Sequence, residues 1–131
     1  MAEFAGRVVV VTGGAGHIGR AICEAFLTEG AEVIAVGRRE PKTAIMAGGR
    51  EAAFFSADIR DPGASQVLID HVMSAHGRID VLVNNAGGGP PVAAADASPE
   101  LTQKIISLNL TAPVILSQQA HPALMSAGCA C

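Results

Sequence analysis

Apolar runs and helical patterns alternate from the start of the chain. Residues 8–11 are four valines in succession, which is typical of a strand buried on both faces of a sheet. After residue 16, apolar side chains recur at i, i+3, i+4, i+7 and i+8, the spacing of one helix face. Those side chains are Ile18, Ala21, Ile22, Ala25 and Phe26. Gly30 follows where a glycine commonly ends a helix.

Three later segments are also predicted to be strands, at residues 33–36, 52–57 and 81–83. The last of them is expected to be buried, like the valine run. The connection over residues 37–50 is basic and contains glycine, so only a weak short helix after Pro41 is predicted there.

Two further helices have recognisable start signals. Asp61 is a capping residue with proline at the next position, and Gly77 marks the expected end of that helix. Its apolar face is predicted to consist of Val67, Leu68, Val72 and Met73. Ser98 and Pro99 open a long helical stretch that reaches about Leu124.

This order of elements predicts an α/β fold with a parallel sheet and right-handed crossovers. A doubly wound sheet normally continues with another strand after the last predicted helix, and residues 126–131 do not look like the natural end of an element. We therefore expect one domain over residues 1–131 that is incomplete at its C-terminal side. It would be a truncation, a frameshifted product or a piece completed by another chain.

The composition excludes several classes of protein. Half of the 131 residues are hydrophobic, which suits a real core and argues against disorder. The apolar runs are too short to cross a bilayer, and no signal-peptide pattern is present. A formal net charge of −3 without a basic cluster argues against a nucleic-acid or membrane-surface binder. Three cysteines suit a cytoplasmic location, and because Cys129 and Cys131 lack a partner pair at zinc spacing, no metal site is predicted.

A glycine-rich turn, T-G-G-A-G-H-I-G at residues 12–19, lies between the valine strand and the first helix. In dinucleotide folds the glycines permit a tight turn, close approach of a pyrophosphate and close packing of helix on strand. The helix start adds unpaired N–H groups and the positive end of a dipole. The turn therefore predicts a dinucleotide site, with a purely structural turn as the alternative. The candidate contacts are Gly13, Gly14, Gly16, His17, Ile18 and Gly19.

This turn, together with Asn-Asn-Ala-Gly at residues 84–87, resembles the short-chain dehydrogenase/reductase family. The resemblance covers residue 7 to about residue 125. It implies a Rossmann-type doubly wound sheet in three α/β/α layers, and hydride transfer between NAD(P) and an alcohol or carbonyl substrate. His17 stands where the compact branch of the family usually has glycine, so the glycine spacing is closer to the extended branch. The Asn-Asn-Ala-Gly element and Asn109 favour the compact branch.

The end of the second predicted strand bears on the choice of coenzyme. An acidic residue there would bind the ribose 2′-hydroxyl of NAD. The chain has Arg38 and Arg39 instead, and an arginine can hold a 2′-phosphate through its guanidinium group. NADP is therefore predicted in preference to NAD, with Arg38 as the first contact and Arg39 as the second. Glu40 weakens this inference, and the alternative is that both arginines are solvated loop charges.

The resemblance assigns roles to further residues. It implies that Asp58 binds the adenine amino group and that Ile59 meets the ring, although Asp58 is alternatively a turn or cap residue. It also implies that Asn84 braces the sheet. The remaining implied cofactor contacts are Asn85, Ala86 and Gly87.

Asn109 is the one candidate catalytic residue. Pro113 lacks an N–H and crowds the carbonyl four residues before it, so the sequence predicts a kink and a freed Asn109 carbonyl. In the family, this carbonyl holds a water in the proton relay; a mere kink with an outward-facing side chain is the alternative. The family also uses Ser, Tyr and Lys, but this chain has no tyrosine, and its lysines are Lys42 and Lys104. The chain alone is therefore not expected to catalyse the reaction.

Other interpretations stay open at this point. The chain could be a non-catalytic NADP(H)-binding or regulatory module, or a fragment without function. As part of an enzyme, it is expected to act on a small alcohol or carbonyl substrate. The resemblance also implies a homo-oligomer formed through the long C-terminal helix.

Overall fold

Four apolar segments form a parallel sheet in the computed structural model, which describes residues 2–128. The sheet strands are β1 (Val8–Thr12), β2 (Glu32–Gly37), β5 (Ala53–Ser56) and β6 (Val81–Val83), and β3 (Met46–Ala47) and β4 (Arg50–Glu51) form a separate pair. The helices are α1 (His17–Thr28), α2 (Pro62–His76), α3 (Pro99–Ile106) and α4 (Ala112–Ser126). A 3₁₀ turn covers Ala94–Asp96, and a π turn, Ser107–Thr111, joins α3 to α4.

The sheet order is β5-β2-β1-β6, with every neighbouring pair parallel. Successive valines of β1 face opposite sides of the sheet because side chains alternate along a strand. Val8 and Val10 pack with residues of α2 and α4, and Val9 and Val11 pack with residues of α1. The predicted three-layer α/β fold is therefore confirmed, and β1, buried along its whole length, is its centre.

The expectations for burial at β6 and α2 were wrong in detail. β6 is half-buried, because in the described chain it lies at an edge of the sheet. Val67 on α2 is 59% exposed and does not belong to the apolar face. The buried residues of α2 are Ser65, Leu68, Ile69 and Val72.

Residues 37–50 contain no helix after Pro41, contrary to the prediction. Instead β3 and β4 form an antiparallel hairpin. Gly48 and Gly49 at its turn have φ values of 59° and 73°, a conformation that glycine adopts most easily. The Arg20 guanidinium donates to the carbonyl oxygens of Thr43 (2.7 Å) and Ala44 (3.1 Å), which ties this segment to α1.

The predicted helix ends are confirmed. Asp61 Oδ1 accepts a hydrogen bond from the Gly63 N–H at 2.9 Å, and Gly77 ends α2 with a φ of 72°. Ser98 Oγ accepts from the Leu101 N–H at 3.1 Å at the start of α3. The helical stretch that begins there continues through the π turn to Ser126, the last residue of α4. No helix among residues 2–128 is long and apolar enough to span a membrane.

Candidate functional site

A cavity of about 440 Å³ lies at the carboxyl ends of β1, β2 and β5. Eleven of the fourteen predicted site residues line it, from four separate stretches of the chain. They are Gly13, Gly16, His17, Ile18, Gly19, Arg38, Asp58, Ile59, Asn85, Ala86 and Gly87. Gly14, Arg39 and Asn109 do not line it, and Val36, Gly37, Ala57, Arg60 and Leu108 do so without having been predicted.

The glycine-rich turn is held to the loop after β6 by hydrogen bonds. Thr12 Oγ1 accepts from the N–H groups of Asn85 (3.1 Å) and Ala86 (3.0 Å). The Asn85 side-chain amide donates to the carbonyl oxygens of Thr12 (3.0 Å) and Gly13 (3.3 Å). Asn85 therefore braces the turn. Asn84 instead donates to Ser117 Oγ at 3.0 Å, on α4.

Glycine is required at two positions of the turn for different reasons. A Cβ on Gly19 would overlap the carbonyl oxygen of Gly13, so α1 can start this close to the turn only with glycine there. A Cβ on Gly14 would lie 2.9 Å from Ala35 Cα. Gly14 packs on β2 and does not line the cavity, which gives it a packing role, and its contact with a cofactor stays a prediction.

The first turn of α1 leaves its backbone donors available. Gly16 is the N-cap and offers no side-chain acceptor, and the first turn has no acidic residue. His17, Ile18 and Gly19 form this turn and line the cavity. Ile18 is 71% exposed there. Unpaired N–H groups and the helix dipole make such a start suitable for an anion.

Two arginines and one aspartate set the charge of the cavity. Arg60 pairs with Asp58 through Nη2–Oδ2 (2.7 Å) and Nε–Oδ1 (3.0 Å). The Arg60 hydrogen bonds lower the pKa of Asp58, against the effect of burial, and the charge of Arg38 lowers it further. Within residues 2–128 the Arg38 guanidinium forms no hydrogen bond or ion pair with another side chain.

Asn109 lies in the π turn, just before Pro113, where the sequence predicts an irregular helix. Its side chain is exposed but tied to Gly88: Oδ1 accepts from the Gly88 N–H (2.9 Å), and Nδ2 donates to the Gly88 carbonyl oxygen (2.8 Å). Its neighbour Leu108 reaches the cavity, whereas Asn109 does not. Asn109 therefore holds the loop after β6 in place.

Comparison with known proteins decides the family. The family model described as short chain dehydrogenase matches residues 7–130. The chain belongs to this family. A short chain dehydrogenase/reductase of Macrophomina phaseolina, dpmpG, is 38% identical over 127 residues, which cover 90% of this chain and 71% of that protein. This chain spans about half of the length of most curated relatives that it matches. It covers, for example, 42% of a short chain dehydrogenase of Pseudocercospora fijiensis.

Solved structures support the same assignment. A metagenomic short-chain oxidoreductase in complex with NADP has a TM-score of 0.83 and 34% identity, covering 95% of this chain and 59% of that one. An NADH-dependent reductase, A1-R′, complexed with NAD has a TM-score of 0.88 and 25% identity, covering 97% and 55%. The fold therefore occurs in relatives that hold either coenzyme.

Arg60 is the principal cavity residue that the sequence analysis missed. It follows Asp58 by two positions in a loop, where neither helical nor strand periodicity indicates which side chains meet. The sequence did contain one signal for Arg60: a positive charge two positions after Asp58, a predicted cofactor contact of negative charge.

Proposed function

We propose that this chain binds NADP(H) in the cavity, as the dinucleotide-binding half of an oxidoreductase. The observation that carries the proposal is Arg38, which lines the cavity directly after β2 and whose guanidinium has no ion-pair partner among residues 2–128. A positive charge there favours a ribose 2′-phosphate, whereas a carboxylate there would repel it.

The cavity suits a dinucleotide in shape as well as in charge. Its volume lies within the 300–1,000 Å³ typical of ligand sites, and the start of α1 offers uncapped N–H groups to a pyrophosphate. In this proposal Gly13, Gly16 and the start of α1 hold the pyrophosphate. Asp58 and Ile59 lie beside the adenine, and residues 85–87 lie beside a ribose. Arg39 is a weaker contact, because it does not line the cavity.

We also propose the reaction of the protein: hydride transfer between the nicotinamide and an alcohol or carbonyl group. This chain would supply the coenzyme site and Asn109, but not a catalytic tyrosine, since it contains none. Self-association through α3, the π turn and α4 is supported by exposed apolar side chains on these three elements, Ile106, Leu110 and Val114. The cytoplasmic location stays a prediction.

Calorimetric titration with NADPH and NADH tests the coenzyme proposal. We expect tighter binding of NADPH, and a loss of about tenfold in NADPH affinity for Arg38→Gln. Arg39→Gln should cost about twofold. Arg50→Gln is the matched control, because Arg50 pairs with Glu32 (2.8 Å) at the opposite end of β2. Equal affinity for the two coenzymes in the unmodified chain, or an Arg38→Gln variant with unchanged NADPH affinity, would contradict it.

A further inference from the structure

The Asp58 carboxylate poses an electrostatic problem for the site described above. Its side chain is 38% exposed, lines the same cavity as Arg38 and lies close enough to feel the charge of that arginine. A phosphate held by Arg38 would therefore have a carboxylate nearby. Two negative charges that share one cavity repel each other, and this repulsion weakens the binding of the phosphate.

The Arg60 guanidinium donates hydrogen bonds to both oxygens of the Asp58 carboxylate. Its Nη2 and Nε atoms reach Oδ2 and Oδ1, and its backbone N–H also donates to Oδ1 at 3.0 Å. Such a bidentate pair has a defined geometry as well as a charge. Among the described residues, Asp58 is the only carboxylate that pairs with Arg60. Arg60 lies within the cavity lining and thus places a second positive charge there.

We propose that Arg60 is a second determinant of coenzyme choice, acting as a positioning residue through Asp58. This inference rests on the proposed NADP(H) site. By pairing with Asp58, Arg60 neutralises the carboxylate and keeps it away from Arg38. Arg38 is then left free to hold a 2′-phosphate, and the cavity keeps a net positive charge.

Removal of Arg60 has two consequences that act in the same direction. The carboxylate becomes an unpaired negative charge in the cavity, and Arg38, whose charge already acts on it, becomes available as its partner. Both changes weaken the hold on a 2′-phosphate. Neither affects a coenzyme that carries a 2′-hydroxyl to the same extent, because a neutral hydroxyl is not repelled by a carboxylate.

The test is titration of the full chain and its variants with NADPH and NADH. Arg60→Gln should lose about tenfold in NADPH affinity and about twofold or less in NADH affinity. Arg50→Gln, which removes the same charge from the hairpin, should change neither. Circular dichroism on each variant checks that the fold is kept.

Rescue separates this role from a structural one. Asp58→Asn in the Arg60→Gln background removes the unpaired charge but keeps a side-chain oxygen, and it should restore NADPH affinity to within about threefold. Arg60→Lys keeps the positive charge and should lose less than Arg60→Gln. Equal losses for both coenzymes, or no recovery in the double variant, would overturn the inference while leaving the NADP(H) proposal intact. No preference for NADPH in the unmodified chain would overturn both.

Discussion

Two aspartates at opposite ends of the sheet are each held by an arginine two residues away along the chain. Asp58 follows β5 at the carboxyl end of the sheet and pairs with Arg60. Asp80 precedes β6 at the amino end and pairs with Arg78. Hydrogen bonds from the arginine side chain lower the pKa of each carboxyl group. The local chemistry of the two pairs is therefore almost the same.

Their surroundings are different. The Asp80 side chain is 1% exposed, whereas that of Asp58 is 38% exposed. Asp80 Oδ2 accepts from the Val8 N–H at 2.8 Å, and the Asp80 N–H donates to the Val8 carbonyl oxygen at 2.9 Å. Asp80 thus joins the starts of two strands, while Asp58 faces a cavity. The place of a pair in the sheet, more than the pair itself, decides whether it stabilises the fold or shapes a site.

The largest expected contrast between the two pairs is in stability. Asp80→Asn should lower the free energy of unfolding by about 3 kcal/mol, because three charge-assisted hydrogen bonds are weakened or lost in a buried position. Asp58→Asn should cost under about 1 kcal/mol, since that pair is partly exposed and screened by solvent. Urea unfolding followed by circular dichroism measures both. Similar losses of unfolding free energy in Asp80→Asn and Asp58→Asn would contradict the distinction between a pair that stabilises the fold and a pair that shapes a site.

Acid should weaken the Asp80 pair in a defined direction. Its pKa is lower in the folded state than the unfolded value of about 3.9, because Arg78 and the Val8 N–H stabilise the charged form. The resulting stability is present above the unfolded pKa and is lost as the pH falls through the folded one. Below about pH 5, the free energy of unfolding should therefore fall more steeply with pH in the unmodified chain than in Asp80→Asn. Parallel pH profiles of the two proteins would contradict this assignment.

The smallest expected effect concerns coenzyme affinity. Asp58→Asn alone removes a carboxylate that Arg60 already neutralises, so the ratio of NADPH to NADH affinity should rise only about threefold, because any change at the adenine affects both coenzymes alike. Asp80→Asn should leave the ratio of the two affinities as it is, because Asp80 lies at the other end of the sheet. Calorimetry at a temperature where both variants are folded gives the comparison. A changed ratio in Asp80→Asn would show that the two ends are coupled.

Features set by local sequence could be predicted well. The valine run predicts β1, Asp61 and Gly77 bound α2, and Pro113 indicates the irregular helix. Each depends on neighbours within one or two turns of the chain. The glycine turn also belongs to this group, because a tight turn between a strand and a helix requires small residues wherever it occurs.

Features set by contacts between distant segments could not be predicted in the same way. The contact between the Asn85 side-chain amide and the Thr12 carbonyl oxygen is one example, because it depends on the direction of side chains in the loop after β6. The position of Val67 depends on how α2 is rotated against α4. The β3–β4 hairpin is a different case, since two adjacent glycines before a strand already favoured a tight turn over a helix.

The bond between Val8 and Asp80 joins residues 72 positions apart, and this distance matters while the chain is being synthesised. β1 leaves the ribosome early, but one of its two edges has no partner until β6 has emerged. During that interval the valines of the strand present an open apolar edge, which is prone to aggregation. The strand that is buried along its whole length in the folded chain is therefore open to aggregation while the chain is being synthesised.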